Sequence, residues 1–573
     1  MSSPDIAQPA DTVRVQIDGV WMQVPRGVRM IEACRLAGKE VPHYCYHPKL
    51  SSPGNCRMCL VETGLPPRPA PGQDPPLDEQ GHPQIQWIPR PAIACANTVA
   101  DGMGIRTQGP LVEECRNGVM EFLLLNHPLD CPICDQAGEC LLQEYSVEHG
   151  RGASRFLDQK VKKPKNVSIG PRIRLDDERC ILCSRCIRFC QEIVDDDVLG
   201  FTGRGSHTVL TVWPGKKLEN NYSLNTVDIC PVGALTSNDF RFQMRVWFLK
   251  ETPSICASCG RGCNALLASR EDQLLRLTPR ENNEVNSTWM CDYGRLHFHY
   301  LRSPARLLEP LLRGGHGHAA ASWAEAIAAA ADGLRRAAPG RVAVIGSGRM
   351  TNEELFLLRG VAEQLGAAYL DIVPRPQEGD AWLVAPDGNP NTTGARQILP
   401  GLDDPGSRLF AIREALRAGS LEALLVWGED LCEAGFTSEE LASVRCIVSS
   451  HLLANPTAEA SHVVLPGSGF AEKRGSMINL TGRLQRLNQA VAAPGQARDD
   501  WEILRDLSAA LSGNEPALFI EDVFRAMAAR VPLFAGLSLS RIGDAGLPLV
   551  ETGAAIPLLD RERERIARGE ISG

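Results

Sequence analysis

"RCILCSRCIRFC", Arg179–Cys190, sets Cys180, Cys183 and Cys186 in a C-x2-C-x2-C run, with Cys190 three residues beyond. That is the spacing of a [4Fe–4S] ligand loop. In two-cluster chains such a run reads C-x2-C-x2-C-x3-C-P, and its last cysteine serves the other cluster. Here Gln191 follows Cys190 where proline would stand, and no second C-x2-C-x2-C run precedes the distant Cys230-Pro231 of "ICPVGAL", Ile229–Leu235. The pattern predicts a pair that has lost one cluster. The surviving [4Fe–4S] site uses Cys180, Cys183, Cys186 and Cys230, and Cys190 is left unligated.

Working outward, "HPLDCPICDQAGEC", His127–Cys140, places His127, Cys131, Cys134 and Cys140 as H-x3-C-x2-C-x5-C. On donor types alone, zinc with three thiolates and one imidazole fits this set as well as a [4Fe–4S] cluster does. Imidazole in place of thiolate leaves a cluster less negative, which by itself eases reduction. Upstream, Cys45, Cys56, Cys59 and Cys95 form C-x10-C-x2-C with a distant fourth, the logic of a [2Fe–2S] loop with a longer first gap. Downstream, Cys256, Cys259, Cys263 and Cys291 are spaced C-x2-C-x3-C-x27-C, open to structural zinc or a third [4Fe–4S] cluster. Zinc has no redox chemistry, so neighbouring sets with ferredoxin spacing favour iron throughout. Left over are Cys34, Cys115, Cys190, Cys432 and Cys446.

Eighteen of the 20 cysteines lie at or before Cys291. Clustering of this kind, in a chain of 573 residues with no apolar signal core in "MSSPDIAQPADT", predicts metal ligands in a reducing compartment, not disulfides. A net charge of −9 argues against nucleic acid, and no apolar run reaches bilayer length. Membrane contact is therefore expected only through partners.

"TVRVQIDGVWMQV" predicts two strands about an Asp18-Gly19 turn. "GVRMIEACRLAG" predicts a helix ending at Gly38, with Cys34 in the core. Strand, turn, strand, helix and cysteine loop together predict a β-grasp [2Fe–2S] domain. The proline-rich "LPPRPAPGQDPPLDEQGHP" reads as an exposed insertion. Residues 111–127 read as an apolar-periodic helix, and "QKVKKPKNVSIGPRIRL" as a basic linker between metal modules. Past residue 300, "RVAVIGSG", "LEALLVWGED" and "ASHVVLPGSG" are strands ending in loops. Helices capped by Ser322 and Thr351 alternate with them, which is an open α/β pattern. No G-x-G-x-x-G opens a helix, so neither a flavin nor an NAD site is expected.

The order of these motifs resembles the large iron–sulfur subunit family of respiratory complex I, the NADH–quinone oxidoreductases. "HPLDCPICDQAGEC" and "RCILCSRCIRF" carry the resemblance. The tail "VVLPGSGFAEKRGSMINLTGRLQRL" resembles molybdopterin oxidoreductases at Val463–Pro466, Glu472, Gly475, Asn479 and Gly482–Arg483. No cysteine stands between Cys291 and Cys432 to hold molybdenum, so an inactive scaffold without that metal is expected.

The resemblance implies a multidomain α+β and α/β chain. Its parts are a β-grasp ferredoxin domain at 11–110, a His/Cys3 helical segment at 111–150 and a bacterial-ferredoxin-like domain at 165–248. A further [4Fe–4S] domain at 249–305 and a molybdopterin-oxidoreductase-like α/β scaffold at 306–573 follow. It implies one [2Fe–2S] and three [4Fe–4S] clusters. Electrons would pass from a flavin/NADH-binding subunit through the Cys45 set, then the Cys180 set, then the His127 set. They would go on to a two-cluster ferredoxin-like subunit and the quinone-site subunits, with proton translocation in membrane partners. The fourth set would lie off this path. The expected place is the cytoplasmic side of a bacterial inner membrane. The competing readings are an iron–sulfur subunit of an NAD-linked hydrogenase or formate dehydrogenase, and a non-redox zinc scaffold.

Overall fold

The structure is a computed structural model that describes residues 11–68 and 76–572. The N-terminal stretch 1–10 and the middle of the proline-rich insertion, 69–75, lie outside the described residues. The contacts divide the chain into two units, Met1–Trp247 with Arg561–Gly573, and Phe248–Asp560.

In the first unit, Thr12–Ile17 and Val20–Pro25 pair antiparallel. Asp18 and Gly19 both take positive φ, 47° and 86°, as a two-residue hairpin turn matched to strand twist requires. Thr12–Ile17 then pairs parallel with Gly104–Arg106, and that strand antiparallel with Leu60–Leu65. The helix Met30–Leu36 buries Met30, Ile31, Ala33 and Cys34 against Val13, Val15, Ile17 and Ile105, so Cys34 is core. The proline-rich insertion is not wholly a solvent loop. It returns to the sheet through Gln86–Trp87, which pairs with Leu65 and Gly64. Ile85 packs where a side chain on Gly64 or Gly104 would stand, within 2.4 and 2.5 Å of an added Cβ.

The apolar helix spans Pro110–Leu124 and stops short of His127. Pro128 accounts for this, because the residue before proline is pushed out of helical geometry. Of the basic linker, Lys165 is spent internally on Asp130, Asp176 and Glu178, at 2.7, 2.9 and 3.0 Å. The terminal segment joins this unit through Arg565–Glu192 at 2.5 Å and the buried pair Lys49–Glu562 at 3.8 Å.

The second unit begins with an antiparallel sheet of Lys250–Ile255, Asn264–Arg270 and Gln273–Pro279. A seven-stranded sheet follows, whose strands Val463–Pro466, Cys446–His451, Ala423–Trp427, Val342–Ser347 and Tyr369–Val373 are parallel neighbours in that order. Leu311–Gly314 and Gly317–Ala320 extend it antiparallel. Ser322 and Thr351 cap the helices Trp323–Arg335 and Asn352–Gln364, each with a glutamate completing a capping box.

Glu353, in the first turn of the second of these helices, is fully buried. It accepts from the Ser476 N–H at 2.9 Å, and its other oxygen lies 2.8 Å from Ser476 Oγ. Burial pushes it up to about 7 from the usual 4.5. The folded state therefore holds this proton to higher pH than the unfolded chain does. Its stabilising contribution is complete below 4.5 and lost as pH rises to about 7. Glu353→Gln is expected to remove that share of the pH dependence. The variant should match the parent in acid and exceed it above pH 7 by up to about 3 kcal/mol, checked by denaturant unfolding of the second unit across that range. Equal slopes in parent and variant would refute it.

Candidate metal centres

The first set is gathered by three segments. Cys45, Cys56 and Cys59 lie between the helix Met30–Leu36 and the strand Leu60–Leu65, and Cys95 follows the short strand Ala92–Ile93. Thiol contacts join Cys45 to Cys56, Cys45 to Cys95 and Cys95 to Cys59. Arg57 takes a positive φ of 61°, and the next residue, Met58, turns its N–H onto the Cys56 sulfur. Left-handed backbone at a non-glycine residue is costly and persists where a site demands it.

The third set repeats that device. Leu182 and Ser184 take φ of 57° and 61°, and the N–H groups of Leu182 and Arg185 face the Cys180 and Cys183 sulfurs. Cys186 has Cys183, Cys180 and Cys230 as electrostatic neighbours, and Val232, Ala234 and Leu235 supply N–H groups to Cys230. Cys190 lies one turn further along the helix Arg185–Glu192. It is fully buried and faces Asp196 and Asp197.

The second set lines one small pocket, in which His127, Cys131, Cys134 and Cys140 meet Arg179 and Gly233. Burial, reinforced by the Arg179 and Lys160 charges, lowers His127 to about 4. At neutral pH its imidazole is then uncharged, the form that ligates metal. Gly233 is required here. A Cβ on it would stand 2.3 Å from the Cys134 sulfur. Gly233→Ala is expected to cost the metal content of this set while leaving the first and fourth sets loaded, read by iron analysis and low-temperature EPR. An unchanged spectrum would show that the contact is relieved elsewhere.

The fourth set, Cys256, Cys259, Cys263 and Cys291, is entirely buried in the second unit. Cys263 has the other three as neighbours. The Cys291 sulfur caps the helix Asp292–Leu296 by accepting from the Gly294 N–H at 3.3 Å. A Cβ on Gly294 would meet the Cys256 and Cys291 sulfurs at 2.9 and 3.2 Å. Burial drives Cys186, Cys263 and Cys291 well above the usual 9.0, so these sulfurs ionise only with a cation among them. Among the described residues, no three His, Cys, Asp or Glu side chains close to the spacing of one metal ion.

Within the first unit the sets adjoin in the order first, third, second. Cys56 is an electrostatic neighbour of Cys183. Gly233, three residues past Cys230, touches Cys134, and the Leu141 N–H beside Cys140 donates to the Pro231 carbonyl at 3.1 Å. Motif reading passed over two residues here, Arg185 and Arg188. They sit between the ligands of "CSRCIRFC" and are buried. Charged residues inside a ligand loop are the signal that would have found them.

Comparison with known families matches the sets in turn. Residues 10–110 fit a 2Fe-2S iron-sulfur cluster binding domain. Residues 116–155 fit the NADH-ubiquinone oxidoreductase-G iron-sulfur binding region, and 170–236 the ferredoxin-like domain of NADH-quinone oxidoreductase subunit 3. Residues 249–299 fit an NADH-ubiquinone oxidoreductase NDSU1/NuoG-like 4Fe-4S domain, and 402–510 the molybdopterin oxidoreductases. A component of the NADH-quinone oxidoreductase of Rickettsia felis is 39% identical over 355 residues.

The chain is a homologue of the iron–sulfur subunit of NADH-quinone oxidoreductases.

The match to the Rickettsia felis relative covers 62% of this chain and 49% of that one, so the chain spans about half the length of the curated relatives it matches. NADH-quinone oxidoreductase subunit 3 of Thermus thermophilus is 39% identical over 376 residues, covering 63% and 48%. The mitochondrial NADH dehydrogenase [ubiquinone] iron-sulfur protein 1 of Solanum tuberosum is 36% identical over 363 residues, covering 63% and 46%. A solved chain of an NAD+-reducing [NiFe]-hydrogenase aligns with 41% of this chain and 91% of its own, at 25% identity and a TM-score of 0.31. No described helix is long and apolar enough to cross a membrane.

Proposed function

We propose that this chain is an electron-relay subunit of the peripheral arm of an NADH–quinone oxidoreductase. The observation that carries the reading is the row of three ligand sets in one compact unit, adjoining as first, third and second. Bound iron–sulfur clusters would supply reversible one-electron chemistry. The chain's own residues hold and insulate them. Cys45, Cys56, Cys59 and Cys95 would hold a [2Fe–2S] cluster. His127, Cys131, Cys134 and Cys140 would hold one [4Fe–4S] cluster. The Cys180, Cys183, Cys186 and Cys230 set would hold another, and Cys256, Cys259, Cys263 and Cys291 the last. The β-grasp reading of 11–110 is supported by the parallel pairing of its first strand with Gly104–Arg106 and by the helix packed across the sheet. The further segments are 111–150, 165–248, 249–305 and 306–573, the last an α/β scaffold without flavin, NAD or molybdenum.

The Cys45 set would receive electrons from a flavin/NADH-binding subunit, and the His127 set would pass them to a two-cluster ferredoxin-like subunit ahead of the quinone-site subunits. Leu129 and Val147, 90% and 83% exposed beside the second set, support a protein partner on that face. Coupled proton movement would belong to membrane partners, with this chain peripheral on the cytoplasmic side.

Metal analysis with EPR on the dithionite-reduced protein tests the reading. One [2Fe–2S] signal and several fast-relaxing [4Fe–4S] signals are expected. Zinc throughout, with no paramagnetic signal, would end it.

A further inference from the structure

The helix Arg185–Glu192 starts between two ligands of the third set and carries two guanidinium groups into the space between that set and the first. Arg185 Nη1 donates to the Ile229 carbonyl at 3.2 Å, and Nη2 to the Tyr46 carbonyl. Ile229 precedes Cys230 and Tyr46 follows Cys45, so one planar fork ties a ligand loop of each set. Arg188 donates to the carbonyls of Cys45 at 2.5 Å and Cys183 at 3.5 Å, to the Ser51 carbonyl, and from Nε to Ser184 Oγ at 3.2 Å.

Arg185 has no ion pair with a carboxylate among the described residues, and its Nε has no hydrogen-bond partner. The anionic groups around it are sulfurs from both sets: Cys183 and Cys230 of the third, Cys45 and Cys56 of the first. Arg188 has Cys183, Cys45 and Glu192. A cation taken out of water must be balanced, and carbonyl dipoles balance it only in part. Iron-bound sulfurs of the two sets would supply further counter-charge.

We propose that Arg185, seconded by Arg188, is the positioning and tuning residue of the first inter-cluster step. It fixes the separation of the two ligand loops and raises the reduction potential of both sets together. One electron leaves the first set as the third gains it, and no bond or proton changes. A fixed positive charge between the sets favours the more negative, reduced state of each. Because the charge is shared, the two potentials rise in parallel, and the driving force between them is left unchanged. The guanidinium fork spans two carbonyls at once, which an ammonium cannot, so the tie between the loops depends on arginine while the shift in potential depends on the charge alone.

The inference rests on the cluster reading, and one experiment separates the two. EPR-monitored redox titration is run on the full-length protein as parent, Arg185→Gln and Arg185→Lys. Absent cluster signals in the parent would sink the cluster reading, and this inference with it. With signals present, Arg185→Gln should lower the midpoints of the first and third sets together. The reduction equilibrium constant of each should fall about tenfold, or roughly 59 mV for one electron. The fourth set should not move. Arg185→Lys keeps the charge and should stay near the parent. If Arg185→Gln fails to load, Arg188→Gln carries the same prediction. Unmoved midpoints, a shift of one set alone, or equal shifts in the Gln and Lys variants would overturn the proposal.

Discussion

Cys230→Ser is expected to abolish the fast-relaxing EPR signal of the third set, and with it electron passage from the first set to the second. The signals of the other sets should persist. Cys180, Cys183 and Cys186 lie within seven residues, so the loop and helix they share preserve their geometry. Cys230 comes from a separate segment and is held by the short helix Asn225–Asp228 and the turn after it. Three backbone N–H groups converge on its sulfur. Such a nest stabilises an anion but selects no metal, and a hard alkoxide forms there far less readily than a thiolate. Position makes the effect large, because the third set adjoins both the others and its loss interrupts the row. Cys190→Ser is the control. It should leave every signal in place but lower stability by about 1–3 kcal/mol, since a hydroxyl replaces a thiol in a fully buried site. A spectrum lost in the control and kept in Cys230→Ser would reverse the ligand assignment.

Local chemistry was legible. The Asp18-Gly19 turn needs two positive φ values, and that dipeptide supplies them. Ser322 and Thr351, each with glutamate three residues on, wrote their helix starts into four letters. The grouping of neighbouring cysteines was legible for the same reason, since loops of two or three residues leave little freedom. Other features were set by contacts far apart in the chain. The strand Gln86–Trp87 owes its place to two glycines, at 64 and 104, that make room for Ile85. The pairing of Arg565 with Glu192 joins residues that no periodicity connects. The spatial order of the sets differs from their chain order because Gly233 reaches back to Cys134. The motif reading assigned Arg185 and Arg188 no role, and only the fold shows that both are buried. The ion cluster at the ends of two parallel strands is likewise set by contacts far apart in the chain.

That cluster yields the largest stability effect expected in the second unit. Lys473 Nζ lies 3.0 Å from Glu354 Oε2 and 3.3 Å from Asp500 Oδ2, and all three residues are buried. Asp500 also accepts from Trp427 Nε1 at 2.8 Å and Ser450 Oγ at 3.2 Å, at the ends of two adjacent parallel strands. Lys473→Met keeps most of the apolar stem but strands two carboxylates without their cation. Breaking a buried pair from one side costs about 3–5 kcal/mol, far more than an exposed pair. Burial already lifts Glu354 to about 7 from 4.5, with Lys473 opposing the rise. Without the lysine the opposition is gone, and Glu354 will hold its proton at still higher pH. The destabilisation should therefore be greatest at alkaline pH and shrink as acid neutralises Glu354. Adding Glu354→Gln to Lys473→Met should recover part of the loss, because one of the two stranded charges is then absent. Denaturant unfolding of the parent, the single variant and the double variant measures all three quantities. A loss below about 1 kcal/mol in Lys473→Met, at the level of a surface pair, would mean that water reaches the carboxylates and that the cluster is not closed.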